Sequence, residues 1–208
     1  MFNVVLLEFL QRGRILFTAM KDELRQHILT HLGRELPGIE FVLDAFQEVK
    51  ASKNQLLVIE GEVCRECYFI VKGCIQTSTS NRNGHVSTID LGFEGDWRTA
   101  MHSFINGIPS NEQLMTIEAC QLLSINRDKF QHLVDTIPPF EYIYKELLEK
   151  AYTQSVERIQ SLMTMDGLDR LKWLLSIHPL IFTRLSNRLI ASYLGLDPAT
   201  LSRLKARL

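Results

Sequence analysis

The 208-residue sequence has few cysteines, almost no net charge and no long apolar run. Its four cysteines lie in strand-like apolar stretches rather than in a spaced framework, which predicts buried free thiols in a reducing compartment. No stretch reaches the roughly 20 apolar residues that a membrane helix needs. The apolar residues 1–19 lack a basic start and are interrupted by Glu8, so they do not fit a signal peptide. We therefore expect a cytoplasmic protein without a membrane segment.

Motifs for catalysis and metal binding are also missing. The sequence has no glycine-rich phosphate loop and no GxSxG nucleophile motif. Cys64 and Cys67 form a lone CxxC without the second pair that a zinc site requires, and His27 and His31 lack a third ligand. We therefore expect no enzyme activity, no metal site and no cofactor.

The small net charge of −1 is distributed unevenly along the chain. Residues 169–208 contain seven Lys and Arg but two Asp, a surplus of five positive charges, so the remainder carries −6. A basic end on an acidic body is typical of a protein in which one module contacts phosphate.

The pattern of apolar residues divides the chain into a helical start, a β-rich middle and a helical end. Residues 20–36 have helical spacing, and Asp128–Val134 predicts a short helix. Between Phe46 and about Ile125, short β-branched or aromatic runs alternate with turn signals, which predicts a compact β-sandwich or roll. The runs are Gln55–Ile59, Tyr68–Val71, Ile75–Ser78, Val86–Leu91 and Met115–Ile125.

A long helix without Gly or Pro is predicted over Phe140–Met165. It would measure about 39 Å, more than a small domain usually covers. Five positions in it step by 4, 3, 4 and 3 residues, which is the spacing of a coiled-coil seam. An amphipathic helix packed on its own domain is the alternative, but the length favours a homodimer. The predicted interface residues are Leu148, Tyr152, Ser155, Ile159 and Leu162.

The C-terminal residues have the pattern of a helix-turn-helix. Ser186 can cap a first helix, and Gly195 supplies the positive φ at its end. Asp197 can cap a second helix with Pro198 at its first position. The apolar residues Ile190, Ala191, Leu194, Leu196, Leu201, Leu204 and Leu208 fall on the predicted inner sides. A simple αα-corner is the alternative, but the number of matching positions favours binding to double-stranded DNA.

Small residues surround one arginine on the outer face of the predicted second helix. A guanidinium there can donate two hydrogen bonds to a guanine edge, so Arg203 is the candidate for base reading. Arg188 and Lys205 are better placed for phosphate. The predicted DNA contacts are Arg188, Ala199, Thr200, Ser202, Arg203, Lys205 and Arg207.

Two motifs in the β-rich part complete a resemblance. Ile59-Glu60-Gly61-Glu62 precedes Tyr68–Gly73, and Gly95-Asp96-Trp97 follows. With the long helix and the helix-turn-helix, the chain from about Met20 onward resembles the Crp/Fnr family of regulators. The resemblance implies an α+β fold, in which an N-terminal double-stranded β-helix (a cyclic-nucleotide-binding-like β-roll) is joined by a dimerisation helix to an all-α helix-turn-helix domain. It also implies a palindromic DNA site, a small-molecule effector and RNA polymerase as a candidate partner.

The predicted domain boundaries follow from this resemblance. Residues 1–19 are an N-terminal extension or a misassigned start, and 20–137 form the sensor β-roll. Residues 138–166 form the dimerisation helix, and 167–208 form the DNA-binding domain.

The residues that hold a cyclic nucleotide in the family are replaced here. Cyclic-nucleotide users carry Gly-Glu where this chain has Thr99 and Ala100, and an Arg where it has Pro109–Gln113. Losing the Arg partner of a buried phosphate costs ~2–5 kcal/mol. We therefore expect an effector other than cyclic AMP. The predicted pocket residues are Gly95, Asp96, Trp97, Thr99, Ala100, Ser110 and Asn111.

A second interpretation of the function rests on the small number of cationic residues in the second helix of the predicted helix-turn-helix. The cations of this second helix are Arg203, Lys205 and Arg207 alone. The alternative function is a regulatory or protein-interaction module whose helix-turn-helix does not read DNA.

Overall fold

The computed structural model describes residues 17–31, 33 and 37–208, the side chain of Glu146 excepted. Helix α1 covers residues 17–31. Most of the predicted N-terminal extension, residues 1–16, lies outside the described residues, as do residues 32 and 34–36 of the helix predicted over 20–36.

A short helix, α2 (Ile39–Asp44), leads into eight strands. The strands are β1 (Gln47–Ala51), β2 (Leu56–Val58), β3 (Glu66–Lys72), β4 (Ile75–Ser80), β5 (Val86–Gly92), β6 (Trp97–Arg98), β7 (Gln113–Thr116) and β8 (Cys120–Asn126). Helix α3 (Met101–Asn106) lies between β6 and β7. Together the strands form a β-roll, which confirms the predicted fold class.

Six helices follow the strands. They are α4 (Arg127–Thr136), α5 (Pro138–Thr164), α6 (Gly167–Ile177), α7 (Ile181–Arg184), α8 (Asn187–Leu194) and α9 (Pro198–Lys205). The long helix α5 has 27 residues and measures about 40 Å. Helix α4 begins where Asn126 accepts a hydrogen bond from the Asp128 amide, an N-cap that satisfies one of the free amides of the first turn.

The strands are arranged in two four-stranded sheets. The first sheet has the strand order β1-β8-β3-β6. In the second sheet, strand β2 pairs with β7, and β4 is the neighbour of β5. In the first sheet Phe69 is opposite Trp97 and Tyr68 is opposite Arg98. Because side chains on one strand alternate between faces, these two pairs lie on opposite sides of that sheet.

The predicted run Met115–Ile125 is two strands rather than one. Strand β7 ends at Thr116 and β8 begins at Cys120. Between them the Ile117 amide donates to the carbonyl of Cys74, outside the ladder of either strand.

All four cysteines are free and buried, as predicted. Burial raises the pKa of the Cys67 thiol, so it stays protonated and unreactive. Cys64 precedes strand β3, and its Sγ lies 3.2 Å from the hydroxyl of Thr99.

By their internal contacts the described residues divide into two compact units. The first contains the described residues up to Ile75 together with Gly92–Lys145. The second contains the β4–β5 hairpin, Gln76–Leu91, together with Glu146–Leu208. In the second unit, the helices after α5 pack on a core of Leu171, Leu174, Ile181, Ile190, Leu194 and Leu201.

Candidate DNA-binding surface and effector region

Helix α8 begins at a hydroxyl cap. The Ser186 side chain accepts a hydrogen bond from the Leu189 amide, which satisfies one of the amides that a helix start leaves free. Ile190, Ala191 and Leu194 are fully buried and form the inner side of the helix. The small side chain of Ala191 lets neighbouring backbone approach closely.

The turn after α8 requires glycine. Gly195 has φ 64°, and the Leu196 amide donates to the Ala191 carbonyl at 2.9 Å. A Cβ at Gly195 would lie 3.0 Å from Cδ2 of Leu162, so both the backbone and the space disfavour a larger residue. The chain therefore leaves α8 sharply and reaches the next helix within three residues.

Helix α9 also has the predicted cap. A carboxylate oxygen of Asp197 accepts from the Thr200 amide at 2.9 Å, and Pro198 occupies the first turn. Hydrogen bonds from the Thr200 hydroxyl and amide hold the pKa of Asp197 below its usual value. The cap is therefore ionised at neutral pH. Leu201 is fully buried and anchors α9 on the helices beneath it.

The predicted DNA contacts lie on α8, on α9 and directly after α9. Thr200 is half-buried, and the exposed members are Arg188, Ala199, Ser202, Arg203, Lys205 and Arg207. Arg188 lies on α8, and Arg207 follows the end of α9. The expectation that Leu208 turns inward was wrong: it is 58% exposed, because α9 ends at Lys205 before the helical spacing reaches it.

Two of the cations are held by neighbouring side chains. Nη2 of Arg203 donates to the Thr200 hydroxyl at 3.0 Å, which directs the guanidinium along the outer face of α9. Nζ of Lys205 lies 4.1 Å from the ring centroid of Phe182 in α7. Arg203 therefore presents a planar donor group among the small residues Ala199 and Ser202.

Helix α5 carries an apolar stripe on its exposed side. Tyr152 is 72%, Ile159 55% and Leu162 42% exposed. Ser155, between them, is exposed and donates to the Ala151 carbonyl of its own helix, while Leu148 is half-buried. These are the residues predicted for the dimer interface.

In the β-roll, the Gly-Asp-Trp motif builds a turn. The Phe93 amide donates to a carboxylate oxygen of Asp96, and the Asp96 amide donates back to the Phe93 carbonyl, both at 3.0 Å. Gly95 has φ 81°, and its amide donates a hydrogen bond to the Ile70 carbonyl at 2.8 Å. The Asp96 carboxylate is therefore committed to local structure.

The aromatic member of the motif belongs to the core. Trp97 is 9% exposed, and its ring packs against Phe46 and Phe69. Its indole N–H donates to Nε2 of His27 at 3.2 Å, which places His27 partly inside the domain.

The remaining predicted pocket residues are also engaged locally. The Thr99 hydroxyl donates to the Glu66 carbonyl, and Ala100 is buried at the start of α3. The Ser110 hydroxyl donates to the Glu112 carbonyl at 2.8 Å, and Asn111 is exposed. Local hydrogen bonds therefore hold the Thr99 and Ser110 hydroxyls, and burial holds Ala100.

Arg98 is a buried charge that the sequence analysis missed. It is 8% exposed, and its guanidinium donates to the Trp97 carbonyl at 2.7 Å and lies 3.5 Å from the Asp96 carboxylate. A Cβ at Gly92 would lie 2.3 Å from its Nε, so glycine there makes room for the side chain. The signal available in the sequence was a charged residue directly after the Gly95-Asp96-Trp97 motif.

A cleft of about 330 Å³ lies in the first unit. It is lined by Asp22, Glu23, Gln26, His27, Phe69 and Gly95. Gly95 is the one predicted pocket residue among them. In the described part of the chain, no helix is long and apolar enough to cross a membrane, and no cluster of three metal-ligating side chains occurs.

Residues 48–136 match the family model of the cyclic nucleotide-binding domain. A search of curated protein sequences found no match.

Solved structures similar to this chain include three bacterial regulators. FixK2 from Bradyrhizobium japonicum is 15% identical with a TM-score of 0.68, over 78% of this chain and 84% of its own. CLP from Xanthomonas campestris, described as a c-di-GMP responsive global regulator, is 18% identical with a TM-score of 0.65, over 81% and 89%. The catabolite activator protein of Thermus thermophilus is 17% identical with a TM-score of 0.52, over 82% and 81%.

These similarities extend through both the strands and the helices that follow them. The family match covers β1 through α4, and the structural matches cover about four fifths of the chain. Residues 48–136 are therefore similar to a cyclic nucleotide-binding domain, and the chain has the fold of the Crp/Fnr regulators, as the resemblance in the sequence implied.

Proposed function

We propose that this protein is a homodimeric DNA-binding transcription regulator whose β-roll responds to a small molecule other than cyclic AMP. The observation that carries the proposal is the α8–α9 pair. It has a cap at the start of each helix, a left-handed glycine in the turn and an exposed face of small residues around Arg203. These features suit a helix-turn-helix whose second helix enters the major groove.

Charge supports DNA as the partner of that face. Arg188, Arg203, Lys205 and Arg207 are exposed on the α8–α9 pair and its end, and Asp197 is the sole acidic residue there. Asp197 is already bonded to Thr200, so its charge faces its own helix start. Contacts to phosphate would come from Arg188 and Lys205, and base reading from Arg203.

The exposed stripe on α5 supports the dimer. Four of its five residues are apolar, and three of those are more than two fifths exposed. An apolar stripe at coiled-coil spacing is normally covered by a second helix. Two chains joined there would present two α9 helices to a palindromic site, in the cytoplasm, where RNA polymerase is a candidate partner.

Binding of the full-length protein to genomic DNA fragments tests this function. We expect binding that weakens steeply as salt is raised, because phosphate contacts release counterions. Absence of binding to the DNA fragments, together with no retention on heparin, would instead support the alternative of a protein-interaction module.

Cyclic AMP and cyclic GMP are not expected to bind usefully. The positions for the phosphate and ribose ligands hold Thr99, Ala100 and Pro109–Gln113, and Thr99 is bonded to Glu66. The missing Arg alone costs ~2–5 kcal/mol, or roughly 30-fold to several thousand-fold in affinity. The Xanthomonas regulator, which has a similar fold, is described as responsive to c-di-GMP.

Calorimetric titration with millimolar nucleotide measures this directly. No saturable heat is expected from either nucleotide. A micromolar dissociation constant would contradict the assignment, and would mean that other groups, with Arg98 the first to examine, hold the phosphate.

A further inference from the structure

One arginine of helix α5 contacts both the β4–β5 hairpin and helix α8. Nε of Arg158 donates to the Ile89 carbonyl at 3.0 Å, and Nη2 donates to the Thr88 carbonyl at 3.3 Å. The same guanidinium lies 4.0 Å from the ring centroid of Tyr193 in α8. All four residues belong to the second unit, so these contacts are internal to one compact body.

Thr88 is the point where these contacts meet. Its amide donates to the hydroxyl of Ser192 in α8 at 3.0 Å, and its hydroxyl accepts from Nε2 of Gln76 in β4 at 2.8 Å. With the carbonyl bonded to Arg158, every polar group of Thr88 has a partner. Thr88 is 4% exposed, so an unmade hydrogen bond there would leave a desolvated polar group.

The guanidinium itself is shielded from solvent. Burial lowers the pKa of Arg158, while Tyr193 and Asp90 act against that shift. Tyr193 is 8% exposed, so the stacked ring and the charge are largely removed from water together. Such a cation–π contact is stronger than one at an exposed site.

We propose that Arg158 is a positioning residue that holds helix α8 on strand β5, so that the hairpin and the α8–α9 pair change position together. Because this contact is internal to the second unit, a displacement of the hairpin strand β5 would reach α8 through it. The regulatory meaning of this contact rests on the proposed DNA-binding function; the contact itself does not.

Hydrogen exchange of the full chain tests the contact without DNA. Arg158→Met removes the donors and the charge at similar length. It should speed exchange of the Thr88 amide about tenfold, as expected when one buried hydrogen bond is weakened. Arg158→Lys keeps the charge but lacks the paired N–H donors of the guanidinium, so it should give an exchange rate of the Thr88 amide between those of the wild type and Arg158→Met. Lys150→Met, on the exposed side of the same helix, should leave Thr88 unchanged.

A double-mutant cycle tests whether the hairpin and α8 are coupled. Gln76→Ala removes the hydrogen bond that Gln76 donates to the Thr88 hydroxyl. With Arg158 present, this change should speed hydrogen exchange of the backbone amides of α8, Asn187–Leu194. In the Arg158→Met background this added effect should be smaller, because the Thr88–Ser192 hydrogen bond is then the remaining one of these contacts between β5 and α8. Circular dichroism confirms that each variant is folded.

Two results would overturn the proposal. One is unchanged Thr88 exchange in folded Arg158→Met, and the other is an additive Gln76→Ala effect in both backgrounds. If the wild-type chain bound no DNA, the proposed function would fail, yet both exchange measurements would still decide the role of Arg158.

Discussion

Replacing Ile159 with Glu is expected to convert the proposed dimer into monomers and to weaken DNA binding strongly. Ile159 lies in the middle of the exposed stripe of α5 and is 55% exposed in the single chain. A second α5 helix packed there would bury the new carboxylate without a partner, which costs several kcal/mol. Losing one of two linked half-site contacts should lower affinity by about 10²- to 10⁴-fold.

Sedimentation velocity measures the oligomer, and fluorescence anisotropy with a DNA duplex measures the affinity. Gln160→Glu is the matched control, since it adds the same charge on the same helix at an exposed position outside the stripe. A dimer that persists in Ile159→Glu, or that dissociates equally in Gln160→Glu, would contradict this placement of the interface.

Replacing Arg203 with Ala is expected to remove base reading while leaving the fold intact. The guanidinium is exposed and bonded to Thr200, whereas the anchor of α9 is the buried Leu201. Removing a bidentate contact to guanine should cost ~1–3 kcal/mol on the preferred site, about 5- to 150-fold in affinity. Preference at one base pair of each half-site should relax as well.

Arg188→Ala provides the comparison for this experiment. Arg188 is exposed on α8 rather than on the outer face of α9, so its loss should weaken all sequences about equally and make the salt dependence shallower. Circular dichroism checks that both variants are folded. Equal losses on specific and random DNA in Arg203→Ala would assign base reading to another residue, with Thr200 and Ser202 the next candidates.

The local features of the α8–α9 pair could be predicted because each depends on neighbouring residues. Ser186 and Asp197 are caps whose partners lie three residues away, and Gly195 has the positive φ of a helix end. The length of α5 was predictable for a similar reason, since Phe140–Met165 has neither Gly nor Pro, and the two prolines of the helix, Pro138 and Pro139, lie in its first turn.

Features that depend on distant parts of the chain escaped the sequence analysis. Arg158 is separated by about 70 residues from the carbonyls it binds, and spacing along a helix carries no signal for such a contact. Trp97 was assigned to an effector pocket on motif grounds, but its ring is part of the core beside Phe69. Helix α3 lies in a stretch, Met101–Asn106, for which we made no helix prediction.

Selection of DNA from a random library by the full-length wild-type protein tests the central proposal most directly. A homodimer with a functional helix-turn-helix should enrich a palindromic consensus. Its half-sites should be centred about one helical turn apart, near 34 Å, with guanine at a position within reach of Arg203. A library that is not enriched, or a consensus with a single unrepeated half-site, would contradict the proposal that two α9 helices read one symmetric site.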